Sequence, residues 1–252
     1  IWSLGPGQEI VTVLNPSAGY GNRVVYSPDG QEFATNGGDS TATIWNAKTG
    51  KPRLRLTGHD VEVMNMAFGP DGRRFATGSL DTTAIIWDTA SGQKLLTLYG
   101  HEAGVRDIAF SPDGSLIATG GFDNTARIWN AATGEELLKL ADHAGLVTGV
   151  AFNPDGTRLA TSSTDGIARI WDVKTAELLF TLTSHTAPVT DISYSPDGLK
   201  IATASRDATA KIWEAATGKE LLTLTGHSSE ILPVAFSPDG KRLASVSEDR
   251  TV

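Results

Sequence analysis

Cysteine is absent from this chain of 252 residues. Its absence excludes disulfide bonds, thiolate nucleophiles and cysteine metal sites, and it fits a protein of the reducing cytoplasm. Long apolar runs are also missing: no stretch of about 20 apolar residues could span a bilayer, and no basic leader precedes an apolar segment. We therefore expect a soluble, cytoplasmic protein without a membrane partner.

Basic residues are too few and too scattered for a nucleic-acid-binding surface. Lys and Arg number 21 against 29 Asp and Glu, which gives a net charge of −8. A protein that neutralises a phosphate backbone normally carries a basic stripe, so nucleic acid is not an expected partner. Neither glycine-rich phosphate-binding motif occurs, and nothing in the sequence requires a cofactor.

The chain does have a repeat of about 42 residues. A spacing this regular indicates one supersecondary unit copied several times, so residues present in every copy are expected to be architectural. The repeat is marked by a Pro-Asp-Gly triplet and by tryptophan. The prolines are Pro28, Pro70, Pro112, Pro154, Pro196 and Pro238, and the tryptophans are Trp45, Trp87, Trp129, Trp171 and Trp213.

One repeat, residues 101–142, shows the predicted structure. Apolar, β-branched and aromatic runs at 105–110, 116–119, 125–129 and 137–140 are separated by turn residues, which predicts four short antiparallel strands. The absence of a helical period excludes helical solenoids. Four-stranded sheets avoid exposed edges when they pack around a ring, so we expect an all-β fold, a β-propeller of four-stranded antiparallel blades.

Two further features recur in these repeats. Each complete copy has a histidine near its start and closes with tryptophan and a polar residue, as in Trp87-Asp88 and Trp171-Asp172. With these motifs the chain resembles the WD40 family over essentially its whole length. The near-uniform repeats look like those of bacterial WD40 proteins.

The resemblance implies a hydrogen-bonded chain of His, Thr, Asp and Trp inside each blade. Such a set satisfies its own donors and acceptors, so it suits a buried structural role. The first copy departs from it, because Ser17 or a neighbour replaces the histidine. The expected sets are His59, Thr77, Asp81 and Trp87; His101, Thr119, Asp123 and Trp129; His143, Thr161, Asp165 and Trp171; and His185, Thr203, Asp207 and Trp213.

The number of Pro-Asp-Gly turns predicts six blades in a single domain, residues 1–252. In this interpretation both termini share the sixth blade, as the resemblance implies for the family. A seven-bladed ring with one repeat missing is the alternative. Because the sequence opens with Ile1 in the middle of a repeat, we also expect it to be a piece of a longer protein.

A catalytic or metal site is not predicted. Equivalent positions in neighbouring blades cannot converge on one substrate atom, whereas such sites need their groups within a few ångströms. The His and Asp residues are therefore interpreted as structural, and the chain is not expected to be an enzyme.

Functional residues are expected where the copies differ. The resemblance places the residue before each network Asp, and the residues shortly after each His, on the top rim around the central channel. Their mixture of aromatic, aliphatic and arginine side chains is typical of protein-binding hot spots. The predicted rim residues are Tyr20, Met64, Leu80, Arg106, Phe122, Leu146, Arg206 and Ile231.

The leading hypothesis is a non-catalytic WD40 propeller that binds a protein or peptide, or senses a ligand, within a larger protein. Bacterial relatives are often fused to kinase or STAND-type NTPase modules, which is analogy alone. One alternative is a propeller enzyme with a site at the channel mouth, for which Glu248 is the candidate. The other is a purely structural or engineered symmetric ring, which predicts a regular rim.

Overall fold

The computed structural model describes residues 23–252, and it contains strands, turns and loops. The chain divides into two compact units, Ile1–Ile108 and Ala109–Val252. Within the described range, no helix has the length and hydropathy needed to cross a bilayer.

The first unit contains two complete sheets, each a four-stranded antiparallel meander whose strands follow in chain order. The strands of the first sheet are β1 (Val24–Tyr26), β2 (Glu32–Asn36), β3 (Thr41–Asn46) and β4 (Pro52–Thr57). Those of the second are β5 (Val63–Phe68), β6 (Arg74–Ser79), β7 (Ala84–Asp88) and β8 (Lys94–Leu98).

The boundary between the units falls inside β9, the first strand of the third sheet. Sheets three to five repeat the four-stranded meander, and the last two strands form a two-stranded sheet. The strands of the third sheet are β9 (Val105–Phe110), β10 (Leu116–Gly121), β11 (Ala126–Asn130) and β12 (Glu136–Leu140). The others are β13 (Val147–Phe152), β14 (Arg158–Ser163), β15 (Ala168–Asp172), β16 (Leu178–Leu182), β17 (Val189–Tyr194), β18 (Lys200–Ser205), β19 (Ala210–Glu214), β20 (Glu220–Leu224), β21 (Ile231–Phe236) and β22 (Leu243–Ser247).

The predicted all-β architecture is confirmed at the level of the sheets. Five sheets have four antiparallel strands and a sixth has two, an arrangement consistent with β-propeller blades. We number these blades in chain order. The strand at 116–119 was predicted two residues too short, because the hydrogen-bonded ladder continues through Gly120, which pairs with Ala126.

The Pro-Asp-Gly triplets form the turns between the first and second strands of each blade. In the third blade the Gly114 amide donates to the Ser111 carbonyl at 2.9 Å, and Gly114 has a φ of 70°. Asp113 Oδ1 accepts from the Ser115 amide at 2.9 Å and from Ser111 Oγ at 2.6 Å. Glycine is suited to this positive φ, and the aspartate satisfies the turn's donors, so the triplet recurs for local reasons.

Small residues on the second strand of a blade let the next blade approach closely. In the first unit, a Cβ added to Gly78 would lie 2.7 Å from Val105 Cγ1. In the second unit, a Cβ on Gly120 would lie 2.7 Å from Val147 Cγ1. Side chains at these glycines would therefore force the neighbouring strand away.

The core of each unit lies between successive sheets. In the first unit Ile44, Leu56 and Phe75 belong to one buried cluster, and in the second Leu159 and Trp171 belong to another. Burial of these large side chains supplies the main driving force for folding.

Two leucines of the strand β12 provide a matched test of this core. Leu140 is 2% exposed, whereas Leu137 is 43% exposed. We expect Leu140→Ala to lower the free energy of unfolding by about 2–5 kcal/mol through loss of buried area and cavity formation. Leu137→Ala should cost about 0.5 kcal/mol or less. Urea unfolding of both variants measures the difference, and equal losses would contradict the assigned packing.

Candidate functional site

A chain of four side chains crosses the second blade. Trp87 Nε1 donates to Thr77 Oγ1 at 2.9 Å, and His59 Nε2 lies 2.7 Å from the same oxygen. His59 Nδ1 lies 2.7 Å from Asp81 Oδ2. Because a carboxylate can only accept, Nδ1 carries the ring proton and Nε2 accepts from the threonine hydroxyl. Every polar atom of this chain is thus paired with a complementary one.

The fifth blade repeats this arrangement, and the sixth repeats part of it. His185 Nδ1 lies 2.8 Å from Asp207 Oδ2, and His185 Nε2 lies 2.8 Å from Thr203 Oγ1. Trp213 Nε1 donates to that Thr203 oxygen at 2.9 Å. In the sixth blade His227 contacts Asp249 and Ser245 at 3.0 and 2.9 Å. The sequence prediction left out this last set, although the repeat spacing could have found it.

The first and third blades contain the tryptophan end of the chain. Trp45 Nε1 donates to Thr35 Oγ1 at 2.9 Å in the first blade, which has no histidine at the repeated position. Trp129 Nε1 donates to Thr119 Oγ1 at 2.8 Å. Asp123 accepts from Thr125 Oγ1 at 2.7 Å, and His101 is buried. The Trp–Thr pair is therefore the part that all five complete blades share.

The fourth blade differs because an arginine enters its network. Arg169 Nη1 lies 2.8 Å from Asp165 Oδ2 and 2.5 Å from His143 Nδ1. His143 Nδ1 also lies 3.3 Å from Asp165 Oδ2, so the arginine and the imidazole share this carboxylate. His143 Nε2 lies 2.7 Å from Thr161 Oγ1, which accepts from Trp171 Nε1 at 2.9 Å. The spacing of the repeat does not predict this arginine.

Burial keeps the rings of His59, His143 and His185 neutral. It lowers the pKa of His59 and of His185 despite their aspartate partners. In His143, burial and the neighbouring Arg169 charge together lower the pKa to about 4. Burial alone would raise the pKa of Asp207, but the hydrogen bonds it accepts, first from Thr209, lower it to about 2. Asp207 is therefore charged and each of these histidines uncharged at neutral pH.

The network also positions two loops of each blade, the loop that follows the histidine and the turn that contains the network aspartate. We call the end of the blade that carries these two loops the histidine end. In the second blade Asp81 Oδ2 accepts from the Asp60 amide at 3.1 Å, and the Leu80 amide donates to the Glu62 carbonyl at 3.0 Å. Ser79 Oγ donates to the Val61 carbonyl at 3.1 Å. Both loops of the histidine end are thus tied to each other and to the buried chain.

The same loop-to-loop hydrogen bond recurs in three blades of the second unit. It joins the residue before the network Asp to the third residue after the His. The amides of Thr164, Arg206 and Glu248 donate to the carbonyls of Leu146, Pro188 and Glu230 at 2.9, 3.0 and 3.0 Å. This bond fixes which residues occupy equivalent positions at the histidine end.

The assignment of Ile231 to the rim was wrong. Ile231 is 1% exposed and packs in the core with Ala210 and Val234. It pairs with Ser247 as Val189 pairs with Ser205, so it occupies the buried valine position one residue beyond Glu230. The solvent-exposed residue there is Leu232. Counted from His227, the rim positions of this repeat are Glu230 and Leu232, and Ile231 lies between them.

The remaining predicted rim residues lie at the histidine ends of their own blades. Leu80 and Leu146 are each 37% exposed, and the Arg206 side chain is 52% exposed. Met64, Arg106 and Phe122 are half-buried. Tyr20 lies outside the described residues.

Arg206 forms one ion pair that the sequence did not predict. Its Nε lies 3.3 Å from Glu230 Oε2, which joins the histidine ends of the fifth and sixth blades. Both side chains are partly exposed, so the pair contributes little to stability. In the region from Arg23 to Val252, no group of three or more His, Asp or Glu side chains is placed to hold a metal ion.

Repeated four-stranded sheets, each with a buried Trp–Thr pair and variable loops at one end, define a protein of β-propeller-type repeats. The family model for the WD domain, G-beta repeat, matches residues 50–88, 92–130, 134–172, 176–214 and 218–252. These segments make up more than half of the chain, and the chain belongs to the WD40 family. A comparison with curated proteins gives no match.

The Thr hydroxyl can be tested by isosteric replacement. Thr203→Val leaves the Trp213 indole and the His185 Nε2 without a partner, whereas Thr35→Val affects only Trp45. At about 1–3 kcal/mol for each stranded buried group, we expect Thr203→Val to cost about 2–4 kcal/mol and Thr35→Val about half as much. Denaturant unfolding measures both. A Thr203→Val loss no larger than that of Thr35→Val would contradict the network.

The histidine pKa values predict how stability depends on pH. A pKa that is lower in the folded than in the unfolded protein means that the unfolded chain takes up protons first on acidification. Stability should therefore fall as the pH decreases from about 6.5 to about 4. Arg169→Met should raise the pKa of His143, because it removes a neighbouring positive charge. An NMR titration of the His143 ring in both proteins measures this, and an unchanged pKa would contradict it.

Proposed function

We propose that this chain is a non-catalytic interaction or sensing module that binds a protein or peptide at the histidine ends of its blades. WD40 repeats generally mediate protein interactions. The observation that carries the proposal is the contrast between the two parts of each blade. The buried network repeats, while the loops that it holds present Leu80 and Glu62 in one blade and Arg206 and Pro188 in another.

The composition of the histidine ends supports a protein partner. Leu80 and Leu146 expose aliphatic surface, and Arg206 exposes a cation. Binding hot spots combine apolar side chains with arginine on a preorganised backbone. The variation among the loops also argues against the alternative of a purely structural symmetric ring.

The polar residues support a non-catalytic role. The His59 and His185 rings are buried, and both of their nitrogens are engaged within the blade. They have no free atom with which to take a substrate proton. Glu248, the candidate for the alternative of a channel-mouth enzyme, is exposed beside Asp249, whose carboxylate binds His227.

We also propose a cytoplasmic setting inside a larger protein, with no nucleic-acid or membrane partner. The net charge of −8 opposes binding to phosphate backbones or anionic lipids. The lack of cysteine fits a reducing compartment.

A six-bladed domain is part of the proposal. A cavity of about 270 Å³ beside the two-stranded sheet is lined by Leu224, His227 and Ser245, among others. The equivalent His185 and Thr203 of the fifth blade contact the Trp213 indole. The cavity supports the proposal that a further strand packs beside the two-stranded sheet and fills the cavity with its tryptophan. A crystal structure with seven blades would contradict the proposed number of six. The prediction that both termini share this blade involves residues 1–22, outside the described part.

The rim proposal can be tested with the double variant Leu80→Ala/Arg206→Ala. We expect proteins captured specifically by the immobilised wild-type chain from an extract of its source cells to be lost, because an apolar contact and a cation are removed. Mass spectrometry of the captured proteins gives the measurement. The melting temperature should change by only a few degrees, since exposed substitutions cost about 0.5 kcal/mol or less.

The matched control lies at the other end of the blades, where the Pro-Asp-Gly turns are. Leu199 and Lys174 are exposed there and provide the same two side-chain classes. Leu199→Ala/Lys174→Ala should capture the same proteins as the wild type. Equal capture by the rim variant and the wild type would refute the assignment of the binding surface.

A further inference from the structure

One exposed surface combines apolar side chains with unpaired negative charge. It lies at the histidine end of the second blade and consists of Asp60, Val61, Glu62, Met64 and Leu80, which we call the second-blade rim. Val61 is 45% exposed, Leu80 is 37% exposed and Met64 is half-buried. These aliphatic groups stand beside two carboxylates on one short stretch of chain.

The backbone of this surface is held in place. The amides of Asp60 and Leu80 donate to Asp81 Oδ2 and to the Glu62 carbonyl, and Ser79 Oγ donates to the Val61 carbonyl. Asp81 itself is fixed by His59 at 2.7 Å. A ligand would therefore meet a preorganised surface and lose little free energy in ordering it.

The described residues do not compensate the charge of this surface. No described residue forms an ion pair with Asp60 or Glu62, and no described donor reaches Glu62 Oε1, which is shielded from solvent. Glu62 as a whole is half-buried. A half-buried carboxylate without a donor is incompletely solvated, and a cation brought to its accessible side gains more than it would at a fully exposed one.

The equivalent positions of the other blades differ in charge. In the sixth blade they include Glu230, Leu232 and Glu248, but Glu230 forms an ion pair with Arg206. In the third blade they include Glu102 and Phe122 together with the cation of Arg106. In the fourth blade they are Ala144, Gly145, Leu146, Thr148 and Thr164, all neutral. In the fifth blade they include Pro188 and Arg206, so the only charge there is positive. Since the backbone hydrogen bond between the two loops is the same in the second, fourth, fifth and sixth blades, the differences in charge come from the side chains.

We infer that the second-blade rim binds an extended segment of a partner protein in which lysine or arginine stands next to aliphatic residues. This inference rests on the proposed function and adds the class of partner. The cation pairs with Glu62 and Asp60, while the aliphatic side chains cover Val61 and Leu80. Charge complementarity selects the partner, and the apolar contact excludes water from the pair.

The test uses three capped synthetic peptides of equal length and the whole chain. One peptide alternates lysine with leucine, the second has glutamate in place of lysine, and the third has glycine in place of leucine. Isothermal titration calorimetry should show binding of the lysine–leucine peptide, at least tenfold weaker binding of the third and none of the second. Glu62→Gln and Asp60→Asn should each weaken binding several-fold.

The charge-matched control is Glu135→Gln, at the turn end, where Glu135 is exposed. It should leave binding unchanged. If Glu135→Gln weakens peptide binding as much as Glu62→Gln does, the peptide is attracted to the net charge alone and the inference is overturned. The inference is also overturned if the glutamate peptide binds as well as the lysine–leucine peptide, or if the lysine–leucine peptide does not bind. Asp60→Asn, at an exposed position, keeps the test valid if Glu62→Gln lowers the melting temperature.

The outcome can be separated from that of the proposed function. If the peptides show no preference for lysine while Leu80→Ala/Arg206→Ala still loses its captured proteins, the rim binds a partner of another chemistry. If the capture is unaffected and the lysine–leucine peptide still depends on Glu62, the assigned partner class holds for this surface and the wider rim assignment is wrong.

Discussion

The structure depends on one buried hydroxyl in each of the second to fifth blades, that of the threonine on the second strand. In the second and fifth blades it accepts from the tryptophan indole and donates to the histidine ring, so three elements of the blade meet at one atom. A buried polar group of this kind is costly when unpaired and stabilising when its partners are placed correctly. These hydrogen bonds therefore favour a single register of the strands in the blade.

The network also fixes the geometry of the loops at the surface. Its aspartate accepts the amide that follows the histidine, and the neighbouring loops then bond to each other, as Leu80 does with Glu62. Side chains at the histidine end can differ without loss of the loop geometry, because the backbone bonds need no particular side chain. This separation lets one scaffold present acidic, neutral and basic surfaces in different blades.

The repeat period predicted the strands and most of the networks because both follow from local patterns. Turn triplets and the spacing of His, Asp and Trp are visible in the sequence. The repeat period did not predict features that depend on contacts or pairings between particular residues. Arg169 joins the network of His143 and Asp165 through contacts that spacing does not encode. Ile231 was placed on the rim by a one-residue shift, and only its pairing with Ser247 shows that it is a core residue.

The central claim is that the buried network sets the geometry of the histidine end. Amide hydrogen exchange in Asp81→Ala tests it most directly, because Asp81 joins His59 to the Asp60 amide. Exchange at Asp60 and Leu80 should accelerate strongly, while amides in the strands β13 to β16 keep the protection of the wild type. Unchanged exchange at Asp60 and Leu80 would contradict the claim and show that the loops hold their shape without the network.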